Sequence, residues 1–162
     1  KLAQTIIFTS QGVPFMLSGE EIYRNKKGIS NTFESPDSVN QLDWSAKGKY
    51  YDIFTYYRNL IQLRKQHPAF RMNKAEDVRK NLQFIDMPEK CMAGFILKDN
   101  ANGDKWKNIL VIHNGNDHPV EISLPKGKWT TVANDGVIAL NGLGVEDGKV
   151  IVAASSSFIS FQ

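Results

Sequence analysis

Five carboxylates, Glu20, Glu21, Glu34, Asp37 and Asp43, crowd the first 45 residues of the chain. Two carboxyl groups about 5–9.5 Å apart across a sugar bond are the minimal apparatus of glycoside hydrolysis. Glu20 and Glu21 make a poor acid/base pair, because adjacent residues at a strand end point to opposite sides. One of them is expected to be a structural carboxylate beneath a loop, tied to Arg24 or Lys26, since buried charges are paired. Asp37, in Ser35-Pro36-Asp37-Ser38, reads as a turn residue and as a candidate ligand contact. The histidines His67, His113 and His118 are scattered, with no i,i+4 pair, so no metal site is expected. His113 is expected in a strand and His118 in a turn, both at or near the surface. Ser155 to Ser157 read as a polar turn outside any nucleophile-elbow pattern. Gly142-x-Gly144 lacks the third glycine of a phosphate loop and reads as a hairpin turn. Trp44, Trp106 and Trp129 are able to stack on sugars, although the last two fall in or beside strands, where packing is the default.

The segment Gly12 to Trp44 has to position these groups. A short apolar run ends in Ser18-Gly19-Glu20-Glu21, and a long stretch of Asn, Ser, Asp, Lys and Arg broken by aromatics follows. An apolar run followed by polar residues without period is how a binding loop mounted on a buried sheet is written. The bulk numbers bound the rest. The 162 residues allow one domain or two small ones. With 20 basic against 17 acidic residues and a net charge of +3, there is no basic stripe of the kind nucleic acid requires. The single cysteine, Cys91, excludes an internal disulfide and a cysteine-based zinc site. No apolar stretch approaches the roughly 18 residues of a membrane span. The chain begins at Lys1 inside a helical pattern, and is expected to be a cut piece of a longer protein.

Its character changes near residue 72. Leu2, Ala3, Ile6 and Ile7 predict a helix over 2–9, which Gln11-Gly12 ends. Val13 to Leu17 predicts a parallel strand buried on both faces, with Pro14 near its start. After the polar loop, Tyr50, Ile53, Phe54, Tyr57, Leu60 and Ile61 form an apolar stripe on a helix over 49–66. Arg58, Gln62 and Lys65 fall on its other side, and Pro68 pushes His67 out of helical geometry. Helix, strand, loop, helix is an α/β rhythm, but one strand makes no sheet. From Met72 to Leu82 a charged connection of one or two helical turns is expected. Beyond it, short strands are predicted at 84–86, 92–97, 108–113, 120–124, 129–133, 149–152 and 158–161. Asn-Gly, Asp-Gly and Pro125-Lys126-Gly127 turns separate them, as in an antiparallel sandwich.

The run Gly12-Val13-Pro14-Phe15-Met16-Leu17-Ser18-Gly19-Glu20-Glu21 resembles the eighth strand of the α-amylase family barrel. The continuation is more specific. Tyr23-Arg24-Asn25-Lys26-Lys27-Gly28, Asn31-Thr32-Phe33 and Ser35-Pro36-Asp37-Ser38-Val39-Asn40-Gln41-Leu42-Asp43-Trp44 resemble the type I pullulanases. The helix ending Leu60 to Arg71 is similar to their last barrel helix, and Trp106 to Asn114 to part of their C-terminal domain. This implies a mixed fold: residues 1–72 would be the truncated end of a (β/α)8 barrel, and residues 73–162 an antiparallel β-sandwich.

The function it implies is hydrolysis of α-1,6-glucosidic linkages in pullulan, glycogen or amylopectin with retention. The catalytic carboxylates of that family lie on earlier barrel strands, so no catalytic residue is expected in this chain, and alone it would be inactive. The eighth-strand loop belongs to the rim of the site, since barrel sites lie at the C-terminal ends of strands. By resemblance, Asp37 holds a sugar, Asn40 stands beside it in the same element, Arg24 is a weaker candidate, and Glu21 is a structural carboxylate. Gln41 stands where many amylases carry Arg, and Phe33 replaces a Tyr. An α-glucan is the expected partner, and no cofactor is expected, with calcium elsewhere in a longer protein left open. The rival readings are an α-1,4-acting amylase of the same family and a carbohydrate-binding or structural module working through Trp106 or Trp129. With barrel partners absent, residues 1–71 are expected to expose apolar surface that the sandwich, self-association or local rearrangement has to cover.

Overall fold

The computed structural model describes residues 1–162. Helix α1 spans Leu2–Thr9, a 3-10 turn Glu20–Ile22, and short helices α2 and α3 Asp37–Asn40 and Ala46–Lys49. The long helix α4, Tyr51–Gln66, is followed by a 3-10 turn Pro68–Arg71 and by α5, Ala75–Asn81. The strands are β1 Leu82–Ile85, β2 Met92–Leu97, β3 Ile109–Asn114, β4 Val120–Asn134, β5 Val137–Ile138, β6 Gly144–Val152 and β7 Ser156–Phe161. All pairings are antiparallel, in the order β1-β2-β3-β7-β4-β5, with β6 on β4.

One strand turns this sheet into a sandwich. The predicted strands at 120–124 and 129–133 are a single strand, β4. Pro125-Lys126-Gly127 is an irregularity within it rather than a turn between strands: register on β6 jumps between Ser123 and Lys128. Gly127 has φ +113°, which a residue with a Cβ resists. Before the irregularity β4 pairs with β6 alone; after it, Thr130–Ala133 pair with β7. Such a bend is how a strand passes from one layer to the other. The two layers enclose Leu110, Ile112, Val120, Ile122, Trp129, Val150, Val152 and Phe158. The opposite face of the same central strands packs on the helices: Ile109, Val111 and Ile159 meet Phe8, Tyr56, Leu60, Leu63 and Phe70. Strand β3 is therefore buried along its whole length on both faces. The two-residue β5 lies beside α4 and has too little sequence to announce itself; Asn59 Nδ2 donates to Ile138 O at 3.0 Å.

Three expectations for the first part are corrected. Val13–Leu17 forms no regular element and belongs to no sheet, because this chain supplies no strand beside it; Val13 is 96% and Phe15 88% exposed. Helix α1 has the expected bounds, yet it buries Thr5, Phe8 and Thr9, while Ile6 faces solvent. The hydroxyls on that face are satisfied: Thr5 Oγ1 lies 2.6 Å from Tyr56 Oη, and Thr9 Oγ1 donates to Thr5 O. Helix α4 buries Ile53, Tyr56, Tyr57, Leu60 and Leu63, so its buried stripe is rotated away from Phe54 and Ile61. Arg58, Gln62 and Lys65 are exposed, and His67 leaves helical geometry at φ −114°, ψ 97°.

The seam between helices and sandwich holds buried polar groups. His113 and His67, read from sequence as scattered and unremarkable, are 6% and 1% exposed. His113 Nδ1 lies 2.8 Å from Ser157 Oγ, and its Nε2 3.4 Å from Thr9 Oγ1. Burial pushes the His113 imidazole down to about 4. Ser156 and Ser157 belong to β7 and are buried, not part of a turn. His67 Nδ1 is 2.9 Å from Asp104 Oδ1, and the backbone N–H groups of Ala69 and Trp106 donate to the same carboxylate. The His67 ring stacks on Trp106, centroids 3.4 Å apart, and Trp106 on Phe161 at 3.9 Å. No helix is long and apolar enough to cross a membrane.

Candidate functional site

The loop from Gly19 to Lys49 is built by its own side chains. Gly19 opens it at φ +97°, and a Cβ there would stand 2.7 Å from Leu42 and 2.8 Å from Arg24. Only glycine lets the chain turn so close to these neighbours. Glu21 accepts from the Gly19 N–H at 3.0 Å, and Glu20 from Gln4 Nε2 at 2.8 Å. Neither glutamate forms an ion pair with Arg24 or Lys26, which corrects the expected tie. The two cations hold neutral acceptors instead. Arg24 donates to the carbonyls of Ser18 and Asn40, and Lys26 to Thr32 Oγ1 and Asn40 Oδ1.

Asn40 is the hub of this arrangement. Its Nδ2 donates to Thr32 O at 2.7 Å and to Ser35 O at 2.9 Å. Side-chain oxygen, side-chain nitrogen and backbone carbonyl are all engaged, which uses most of what an amide residue offers. Val39 pins the same turn by burying its side chain, 7% exposed. Asp37 begins α2, two residues upstream; it is exposed, and its carboxylate is in none of the ion pairs of the protein. Asn40, Arg24 and Asp37 are thus brought together on one loop with different tasks: the first two brace it, and the third presents a free carboxylate. Asp43 accepts from the hydroxyl and the N–H of Ser45, and these bonds, the hydroxyl first, hold its carboxyl below the usual range.

Beside the loop is a cleft of about 410 Å³ lined by Tyr23, Arg24, Lys27, Asp43, Lys49 and Tyr50, among others. Tyr23 meets Tyr50 edge-on, centroids 5.0 Å apart. The sequence placed Tyr50 on a helix stripe; it instead ends the loop, at φ −115°, ψ 38°. Sequence reasoning also passed over Arg64. It is 5% exposed in α4 and donates to the carbonyls of Phe8, Ser10 and Gly12, at and just past the end of α1. The signal was present: a cation on a helix beside buried Leu60 and Leu63 needs acceptors, and a helix C-terminus supplies them.

Trp106 and Trp129 are 8% and 1% exposed, so neither offers a face to a polymer; Trp129 Nε1 donates to Pro125 O inside the sandwich. Trp44, at 62%, is the exposed tryptophan. No group of three or more His, Cys, Asp or Glu side chains converges as a metal site would require.

Comparison with known proteins adds an independent line. Residues 78–137 match the family model "Pullulanase, all-beta domain". The pullulanase of Bacillus subtilis (strain 168) is 43% identical over 125 residues, which cover 77% of this chain and 17% of the relative. The solved pullulanase from Bacillus acidopullulyticus superposes with a TM-score of 0.96 at 46% identity, covering 99% of this chain and 20% of that one. The type I pullulanase from Bacillus subtilis str. 168, solved in complex with maltose, gives a TM-score of 0.92 at 34% identity, over 99% and 22% of the respective chains. The chain therefore spans about a fifth of the length of these relatives. By sequence and by fold it belongs to the pullulanase family.

Proposed function

We propose that this chain is the part of a debranching enzyme that forms one wall of its α-glucan site, in a protein that hydrolyses α-1,6-glucosidic linkages with retention. Residues 1–72 complete a (β/α)8 barrel, in which the segment Val13–Leu17 pairs with strands supplied by the rest of the protein. Residues 73–162 are the sandwich that backs it. The catalytic carboxylates lie outside this chain, which is inactive alone. Two carboxylates suffice for the chemistry, so no cofactor is invoked.

The free carboxylate of Asp37, on a loop braced by Asn40 and Arg24, carries this reading. A carboxylate held at a fixed place accepts from two sugar hydroxyls at once. Its role is to position the glucan, not to break the bond. The exposed Val13 and Phe15 support the pairing of this segment, because they are apolar positions that only a neighbouring layer covers.

The test uses the longer protein carrying this chain. Asp37→Ala is expected to lower kcat/KM on pullulan by about 5- to 150-fold, the equivalent of about 1–3 kcal/mol for lost hydrogen bonds to a charged group. Maltotriose is the expected product, and panose would point to an α-1,4-acting amylase instead. An unchanged kcat/KM in Asp37→Ala removes the assignment of this loop to the glucan site.

A further inference from the structure

We propose that the cleft between Tyr23 and Lys49 binds a phosphate monoester carried on a glucosyl unit, so that the loop recognises phosphorylated as well as plain α-glucan. The second half of this statement rests on the glucan reading of the neighbouring loop; the cleft's chemistry does not.

The charge of the cleft is the first observation. Arg24, Lys27 and Lys49 line it against one carboxylate, Asp43. None of the three cations has an ion-pair partner: the ion pairs of the protein lie at Lys1–Asp52, His67–Asp104, Lys149–Glu121 and around His118. One oxygen of Asp43 is already occupied by both donors of Ser45, at 2.5 and 3.0 Å. Three cations against one carboxylate leave the cleft a net positive charge, and a concave site with an excess of one sign focuses its field on an incoming anion. A neutral sugar has no use for such a field; a dianionic phosphate does.

Placement of the cations is the second. Arg24 is not free to swing away, since it donates to the carbonyls of Ser18 and Asn40, and its Nε is buried without a protein partner. Its charge is a fixed element of the wall. Lys27 is turned by a backbone in the left-handed region at φ 55°, with its N–H donating to Asn25 Oδ1 at 2.6 Å. Lys49 Nζ sits 5.0 Å from the centre of the Tyr50 ring. The ammonium and the aromatic wall are thus neighbours, as recognition of a sugar with an anionic substituent requires.

Size is the third. About 410 Å³ is in the range of small-molecule sites and exceeds the needs of a bare phosphate. The edge-on Tyr23–Tyr50 pair supplies an apolar side for a pyranose ring.

The test is calorimetric titration of the longer protein carrying this chain with glucose 6-phosphate, inorganic phosphate and maltotriose in turn. Glucose 6-phosphate is expected to bind saturably and to weaken severalfold between low salt and about 0.2 M salt, where the Debye length falls to under about 10 Å. The double substitution Lys27→Gln, Lys49→Gln is expected to weaken it at least tenfold. Both lysines are exposed, so an unchanged circular dichroism spectrum shows that the fold is retained. Absence of saturable binding, or an unchanged affinity in the double variant, overturns the proposal. Equal affinity for inorganic phosphate overturns the assignment to a sugar phosphate. Maltotriose binding that depends on Asp37, without binding of glucose 6-phosphate, overturns this proposal and leaves the glucan reading standing. Glucose 6-phosphate binding with no effect of Asp37→Ala on debranching does the reverse.

Discussion

Mild acid is expected to loosen the seam between the helices and the sandwich, and His113 gives the size of the effect. In the folded chain its ring is 6% exposed between Ser157 and Thr9, and burial lowers it from 6.5 to about 4. The unfolded chain binds a proton at this residue below about pH 6.5, and the folded chain only near pH 4. Stability is therefore intact above the unfolded value, falls as the pH drops below it, and stops falling once the folded form also protonates. A separation of about 2.5 units corresponds to a limiting loss of about 3 kcal/mol, of which about 2 kcal/mol is reached at pH 5. Urea unfolding at pH 7 and pH 5, on the parent chain and on His113→Gln, isolates this contribution. Gln keeps a hydrogen-bonding group near Ser157 but does not titrate. Other titrating groups cancel in the double difference. Asp104, held low against its burial chiefly by the His67 hydrogen bond, loses stability on acidification. His118, raised by its bonds to Asp117 and then Glu89, contributes at low pH and loses its contribution as pH rises through its folded value. The parent should lose about 2 kcal/mol more than the variant between the two pH values. Parallel losses in the two proteins would show that His113 is not held neutral by the seam, and the reasoning fails.

Asn40→Ala is expected to cost about 1–3 kcal/mol, because the carbonyls of Thr32 and Ser35 and the ammonium of Lys26 lose a partner together, whereas Asp37→Ala leaves the melting temperature unchanged. Thermal melts of the two variants check this contrast, and equal shifts would contradict it. Arg64→Met is expected to destabilise by about 3 kcal/mol by orphaning three carbonyls at the end of α1, and to raise amide exchange in residues 8–13 before it does so in the sandwich. The isolated chain is expected to self-associate as concentration rises, with Phe15→Ser reducing the effect; light scattering showing a monomer throughout would count against the exposed apolar face.

The legible parts of the fold were those whose residues answer to a local rule. The strand 92–97 has the bounds read from sequence, as does the helix over 2–9, because turn residues or a glycine stand at their ends. The single strand β4 was divided in reading because Pro125-Lys126-Gly127 has the composition of a turn, and only tertiary pairing decides that the chain continues through it. Val13–Leu17 has a strand's sequence but no neighbour to make it one, since a strand is a property of a pair. In the loop, Asp37 could be named from its motif, but that Asn40 is consumed in bracing could not, because the carbonyls of Thr32 and Ser35 are acceptors that no side-chain spacing reveals. His67 was passed over for a related reason: its partner Asp104 lies 37 residues away, in the other part of the chain.

The stack of His67, Trp106 and Phe161 has a mechanical consequence. Adjoining units of a chain ordinarily swing about their linker. Here a ring from the end of α4 lies against a ring from the sandwich, which lies against one from the final strand, and a buried carboxylate pins the first in place. Such a laminate resists both hinge and shear. Any opening and closing at the loop must then originate within the loop itself, in the bracing by Asn40, Arg24 and Lys26, while the sandwich behind it serves as a fixed anvil.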